Sequence, residues 1–141
     1  MALPQIVLDT NVLVAALRST RGASFRLVSL LDAGQFEINL SVPLVVEYED
    51  VLMRQHPDFG LTKADVGDFL DFVCRVGNRH EIYFLWRPLL PDPEDEMALE
   101  VAVTAGCRYI VTYNLRDFRG AEAFGVSAIR PHEFLATLNE P

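Results

Sequence analysis

Residues 6–17 read IVLDTNVLVAAL, and this stretch decides the fold. The short apolar run Ile6–Leu8 is typical of a buried strand, and apolar positions at helical spacing from Val12 predict a helix that starts immediately afterwards. Asp9 is then predicted at the carboxyl end of a central strand, where open α/β sheets carry ligands and chemistry. A second interpretation is that Asp9 or Asn11 only caps the helix, since both residue types are common helix caps.

The rest of the chain alternates between strand and helix patterns. The predicted strands are Gln5–Asp9, Phe36–Leu40, Glu81–Tyr83, Tyr109–Thr112 and Ser127–Ile129. The predicted helices are Val12–Leu17, Ala23–Ala33, Ser41–Arg54, Thr62–Val76 (where Thr62 and Asp65 have the spacing of a capping box), Glu94–Ala105 and Pro131–Leu138. Strands separated by helices need crossover connections, which place parallel strands in one sheet with helices on both faces. The sequence therefore predicts a three-layer α/β/α fold with a mainly parallel central sheet, in a single domain spanning residues 1–141.

The composition sets limits on the class of protein. At 141 residues, half of them hydrophobic, the chain is long enough to bury a core without disulfides or a structural metal. No apolar segment is long enough to span a bilayer, and the first residues lack a signal-peptide pattern, so we expect a cytoplasmic protein without membrane contact. The net charge of -8 argues against a general basic surface for nucleic acid. It does not exclude a nuclease, because acids that hold divalent cations are neutralised once the metal binds.

Acidic residues on two predicted helices are candidates for a metal site, since hard cations such as Mg²⁺ bind several carboxylate oxygens. Glu47 borders the apolar face of the helix that begins at Ser41, but Glu49 has a similar position on the opposite border. Helical periodicity leaves both open, and either side chain could be a solvated flank.

The acidic segment PDPEDE gives a clearer indication. Asp95 shares a helix face with the apolar residues Ala98 and Leu99, whereas Glu96 and Glu100 are predicted on the opposite side. Acids in the first turn also complement the helix dipole, which is the simpler explanation of the cluster. A carboxylate on the apolar face, however, is costly to bury unless it is paired or binds a metal.

Polar residues also follow the predicted strand Tyr109–Thr112. Thr112, Asn114 and Asp117 are expected on the same rim as Asp9, because the carboxyl ends of parallel strands share one edge of a sheet. By itself this is a polar loop, which is common at protein surfaces. Two basic residues in the loop suit contact with phosphate: Arg116 and Arg119.

Taken in order, four segments resemble the PIN-domain family of metal-dependent nucleases, and within it the VapC-like toxin components of bacterial toxin-antitoxin pairs. These segments are VLDTNVLVAAL, SVPLVVEYEDVL, DPEDEMALEVAVTAGCRYIVTYNLRDF and IRPHEFL. The likeness covers both ends and most of the middle of the chain, and the region from about His56 to Leu90 carries little of it. No single motif is decisive, whereas the order and spacing of the four are quite specific.

The resemblance implies a set of catalytic positions. The first three acids of the family match Asp9, Glu47 and Asp95, and the place of its fourth acid holds Asn114. An amide keeps an oxygen ligand but removes a charge, so a second cation would bind more weakly unless Asp117 takes over as a metal ligand. The family's neighbouring polar residues match Thr10 and Asn11, which with Thr112 would orient ligands or water.

The function implied by the resemblance is that of a divalent-metal-dependent endoribonuclease, with Mg²⁺ or Mn²⁺ held by Asp9, Glu47, Asp95 and Asp117. Arg116 or Arg119 would contact RNA phosphates. An antitoxin protein and a homodimer or higher homo-oligomer are the implied protein partners. The alternative is a catalytically weakened or inactive PIN-like domain that binds RNA or another protein, which the amide of Asn114 favours.

Overall fold

Strand β1 (Gln5–Leu8) lies at the centre of a five-stranded parallel sheet in the computed structural model, which describes residues 2–82 and 93–138. The other strands are β2 (Glu37–Leu40), β3 (Asn78–Arg79), β4 (Tyr109–Val111) and β5 (Ser127–Ile129). Their order in the sheet is β3-β2-β1-β4-β5, and every neighbouring pair is parallel. All five carboxyl ends therefore lie at one edge.

Helices flank this sheet. They are α1 (Thr10–Arg18), α2 (Ala23–Ser29), α3 (Val42–Gln55), α4 (Lys63–Val76), α5 (Pro93–Ala105) and α6 (Pro131–Leu138), with 3-10 segments at His56–Phe59 and Leu115–Phe124. Helix α2 packs against α1 and α6, while α3 packs against α4 and α5. The predicted three-layer α/β/α fold with a parallel central sheet is confirmed.

The apolar run of β1 forms the middle of the core. Ile6, Val7 and Leu8 are almost fully buried, because β1 has a strand on each side and helices over the sheet. A strand covered on both faces needs an unbroken apolar run rather than alternation, as the sequence has here. Among the helices of the described residues, none has the length and hydropathy needed to cross a membrane.

Helix starts follow the capping rules. The Ser41 hydroxyl accepts a hydrogen bond from the Leu44 amide at the start of α3. The predicted capping box of α4 is confirmed: the Asp65 amide donates to the Thr62 hydroxyl, and the Thr62 amide donates to the Asp65 carboxylate. These hydrogen bonds, the one from the Thr62 amide above all, lower the pKa of Asp65.

Two sequence predictions of local structure are wrong. The helix predicted over Ala23–Ala33 ends at Ser29, since the following amides bond three residues back in tighter turns. The strand predicted at Glu81–Tyr83 instead occupies Asn78–Arg79, and Tyr83 lies outside the described residues. Polar contacts place β3 there: the side chains of Asn78 and His80 bond those of Gln5 and Asn39, at 3.3 and 2.8 Å. A pattern of apolar residues in the sequence does not predict hydrogen bonds between polar side chains.

Candidate active site

Asp9 stands immediately after β1 with both carboxylate oxygens held. Its amide donates to the Val111 carbonyl at 2.9 Å, which aligns the ends of β1 and β4. Its Oδ1 accepts from the Thr10 amide at 2.9 Å, and its Oδ2 accepts from the Thr112 hydroxyl at 2.7 Å. Asp9 is therefore the cap of α1 and also a half-buried carboxylate at the edge where the strands end. The two interpretations of the sequence do not compete.

Thr112 connects the polar residues around Asp9. Its buried hydroxyl donates to Asp9 and accepts from the Asn11 amide nitrogen at 3.4 Å and from the Asn114 backbone amide at 3.0 Å. One donor and two acceptor positions exhaust what a hydroxyl offers. The Asn11 side-chain oxygen in turn accepts from the Tyr113 amide at 3.4 Å. The carboxylate orientation of Asp9 is thus coupled to the loop after β4.

Tyr48 supports the same strand end from α3. Its fully buried hydroxyl donates to the carbonyl of Leu8, the residue before Asp9. Burial raises the pKa of Tyr48 well above its usual range, and the negative charge of Asp9 adds to this. Sequence reasoning placed Tyr48 only in the apolar stripe of its helix and missed this role. Its hydroxyl could have indicated the role, because a buried tyrosine usually has a hydrogen-bond partner.

The structure separates the two glutamates that periodicity left open. Glu47 is half-buried and lines the cavity beside Asp9, whereas Glu49 is exposed. Helix α3 therefore presents Glu47 to the strand ends and Glu49 to solvent.

On α5, Asp95 is buried as predicted, with 7% of its surface exposed. Glu96 is equally buried at 8%, so its predicted position on the outer side is wrong. Helix α5 packs against β1, β2, β4, α3 and the second 3-10 segment, and is covered over more than one face. Helical periodicity assumes one buried face, so it does not predict the burial of Glu96 on this helix. The neighbouring Glu100 has its pKa raised by burial first and by the charge of Glu96 second.

One cavity of about 300 Å³ collects the predicted acids at the carboxyl edge of the sheet. It is lined by Asp9, Thr10, Asn11, Val14, Arg18, Glu47, Val51, Gln55, Asp95, Asn114 and Asp117. Every predicted catalytic and metal-ligating residue is in this set, and Thr112 lies behind Asp9 as a hydrogen-bond partner. We call this space the acid cavity.

The donors around the acid cavity suit a hard divalent cation in kind. They are four carboxylates and three side-chain amides, whose oxygens are ligands that Mg²⁺ and Mn²⁺ take. Over residues 2–82 and 93–138, no three His, Cys, Asp or Glu side chains are arranged closely enough to hold an ion. The carboxylates therefore surround the cavity rather than meeting at one point.

Arginines line the acid cavity and a second cavity next to it. Arg18 lines it from the end of α1, and its guanidinium donates to the Gln55 side chain at 2.8 Å. Sequence reasoning missed Arg18, since nothing distinguishes it from other arginines at helix ends. The predicted Arg116 and Arg119 line a second cavity of about 660 Å³, together with Arg130, which was also missed. We call this second space the arginine cavity.

Comparisons with known proteins agree with this architecture. The crystal structure of VapBC2 from Rickettsia felis bound to a DNA fragment from their promoter contains a chain of similar fold, with a TM-score of 0.61 and 14% identity. The match covers 89% of this chain and 98% of that chain. No curated protein matches significantly. A family model described as PIN domain matches residues 5–116, which is most of the sequence. The chain belongs to the PIN-domain family.

Proposed function

We propose that this protein is a divalent-metal-dependent endoribonuclease that hydrolyses RNA phosphodiester bonds, and that it is the toxin component of a toxin-antitoxin pair. One observation carries the nuclease proposal: carboxylates from four separate elements line a single cavity at the carboxyl edge of a parallel sheet. Such an edge is where α/β folds place their chemistry. Membership of the PIN-domain family, a family of nucleases, supports the same conclusion.

In this proposal Asp9, Glu47 and Asp95 would hold the first cation together with water molecules, because these carboxylates surround the cavity without forming a closed three-residue group. When bound, Mg²⁺ or Mn²⁺ supplies Lewis-acid chemistry, which makes water a better nucleophile and stabilises negative charge on phosphoryl oxygens. The hydrogen bonds of Thr10 and Thr112 fix both oxygens of Asp9 before any ligand arrives. Without a cation, the carboxylates would repel an RNA phosphate.

The fourth acidic position is filled, in this proposal, by Asp117 rather than Asn114. The Asp117 amide donates to the Asn114 carbonyl at 3.1 Å, so the loop turns back, and both side chains line the acid cavity. If Asp117 has taken over this position, Asp117→Asn loses activity while Asn114→Asp gains little. A large gain of activity in Asn114→Asp, with no loss of activity in Asp117→Asn, would contradict the proposal that Asp117 has taken over the fourth position.

A weakened PIN-like domain that binds RNA or protein is the second candidate. It is favoured by Asn114 at the fourth position and by the arrangement of the acids, which surround the cavity without forming a three-residue metal group in the described part of the chain. This candidate predicts RNA binding without cleavage, even with Mn²⁺.

The deciding experiment incubates purified protein and RNA with Mg²⁺, Mn²⁺ or a chelator. We expect cleavage only with a cation, and its loss in Asp9→Asn, Glu47→Gln and Asp95→Asn. Glu49→Gln is the matched control, since Glu49 lies on the same helix as Glu47 but is exposed. Equal cleavage by the wild type and all site variants would indicate a contaminating nuclease and overturn the assignment.

The protein partners and the location in the cell are also proposals. We expect an antitoxin chain as inhibitor, a homodimer or higher homo-oligomer, and a cytoplasmic protein. The similar fold found in VapBC2 bound to promoter DNA supports a place in such a pair. Light scattering on the purified chain tests self-association, and a monomer at all concentrations would contradict it.

A further inference from the structure

We propose that Tyr113 and the arginine cavity form a subsite for one unpaired nucleotide next to the bond that is cleaved, with the base stacked on Tyr113 and the neighbouring phosphate bound by arginines. This inference rests on the proposed ribonuclease function and adds a specificity-determining residue to it. Its elements are an anchored aromatic ring, a cluster of arginines, and two residues shared with the acid cavity.

Tyr113 is an exposed ring held at its far end. The residue has 40% of its surface exposed. Its hydroxyl nevertheless lies 2.5 Å from the hydroxyl of Ser24, a buried residue of α2. Its backbone amide also donates a hydrogen bond to the side-chain oxygen of Asn11. A ring fixed in this way loses little conformational entropy when a base stacks on it, and base–aromatic stacking tolerates any sequence.

The arginine cavity beside this ring supplies positive charge. Arg116, Arg119 and Arg130 line it with Tyr113, and the three arginines outnumber the two acids of the lining, Asp117 and Glu122. The nearest nitrogen–oxygen distance between Arg130 and Glu133 is 3.8 Å, with both side chains about half exposed, so this ion pair is weak and open to exchange. In the described ranges, Arg116 and Arg119 have no ion pair within 4.0 Å. One planar guanidinium group can donate two parallel hydrogen bonds to two oxygens of a phosphate.

The two cavities are neighbours, because Asn114 and Asp117 line both of them. A strand with one phosphate in the acid cavity therefore places its neighbouring nucleotide against Tyr113 and the arginines. In a duplex both faces of a base are covered by adjacent bases, so only an unpaired base can stack on the tyrosine. The subsite consequently selects single-stranded or looped RNA at the cleavage point.

Binding tests this inference without relying on activity. The Asp95→Asn protein keeps a fluorescent short RNA intact, and its affinity is read by anisotropy. We expect Tyr113→Leu to weaken binding at least about fivefold, from the usual strength of base–aromatic stacking, and Tyr113→Phe to bind closer to the parent. Phe25→Leu is the control, because Phe25 is exposed to a similar extent, 38%, and lines neither cavity. No loss in Tyr113→Leu, or an equal loss for duplex RNA, would overturn the subsite.

A second series of experiments changes the RNA instead of the tyrosine. In RNAs with one abasic nucleotide, we expect a single position next to the cleavage point to lose most of the affinity, and only in proteins that retain Tyr113. A plot of log affinity against log salt concentration has a negative slope, and Arg119→Gln and Arg130→Gln should each reduce its magnitude by about 0.7. Arg54→Gln should leave the slope unchanged, since Arg54 is paired with Asp50 away from both cavities. An abasic series without any position effect overturns the inference.

The two proposals fail in different ways. Metal-dependent cleavage without an abasic effect would remove the Tyr113 subsite and leave the nuclease function standing. A clear abasic effect without cleavage would leave the subsite and support the RNA-binding alternative.

Discussion

Replacing Thr112 by valine removes one buried hydroxyl and leaves the shape of the side chain nearly unchanged. The lost group donates to the Asp9 carboxylate at 2.7 Å and accepts from the Asn114 amide at 3.0 Å. Hydrogen bonds to charged groups contribute about 1.5–3 kcal/mol, so we expect a loss of about 2 kcal/mol in the free energy of unfolding. For a chain of 141 residues this corresponds to a melting temperature lower by roughly 7 °C.

Thr112→Val also frees the carboxylate of Asp9 from its fixed orientation. Changes to groups that orient metal ligands commonly reduce activity or metal affinity about 10–100-fold, and we expect an effect of this size on Mn²⁺-dependent RNA cleavage. The matched variant is Thr112→Ser, which loses a buried methyl group, at a cost of roughly 1 kcal/mol, but keeps the hydroxyl. The assay is cleavage of a fluorescent RNA over a Mn²⁺ titration, with melting followed by circular dichroism. If Thr112→Ser loses as much activity as Thr112→Val, packing rather than the hydrogen bond to Asp9 is responsible, and the reasoning fails.

Three further outcomes follow from contacts around the site. Tyr48→Phe should cost about 1–2 kcal/mol in urea unfolding, because the buried carbonyl at the end of β1 loses its donor; an unchanged midpoint would contradict this. Arg18→Gln should lower kcat/KM on RNA roughly threefold to tenfold and flatten its salt dependence, with little change in stability, since its only hydrogen-bond partner among the described residues is the neutral Gln55; equal salt slopes would argue against phosphate contact. Burial and Glu96 raise the pKa of Glu100, so the folded chain holds this proton more tightly than the unfolded chain and loses stability as pH rises through the glutamate range. Glu100→Gln should therefore melt higher than the wild type at neutral pH but not in acid, and a constant difference across pH would refute the assignment.

The fold was predictable because its signals are local. The apolar run of β1, its abrupt end at Asp9 and the helical spacing from Val12 fix one strand–helix unit, and the same alternation repeats along the chain. The short edge strand β3 was misplaced, because Asn78 and His80 are held by polar contacts with neighbouring strands rather than by burial of apolar side chains. Pairing of this kind depends on residues distant in sequence.

The candidate site was predictable only in part. Asp95 followed from helical periodicity, and the choice of Glu47 over Glu49 needed the family resemblance. Periodicity failed for Glu96, because α5 is covered on more than one face. The roles of Tyr48 and Arg18 arise from tertiary contacts with a strand end and with another helix. The Tyr48 hydroxyl indicates that a hydrogen bond is needed but not which group accepts it, and nothing in the sequence around Arg18 indicates its partner.

The claim that the carboxylates of the acid cavity hold a divalent cation is tested most directly by measuring Mn²⁺ binding to the purified chain by electron paramagnetic resonance. Asp9, Glu47 and Asp95 come from different elements, so removal of any one charge should weaken the same binding event. We predict saturable Mn²⁺ binding by the wild type and by Glu49→Gln, and its loss or marked weakening in Asp95→Asn. Equal Mn²⁺ binding by the wild type and Asp95→Asn would contradict the metal site.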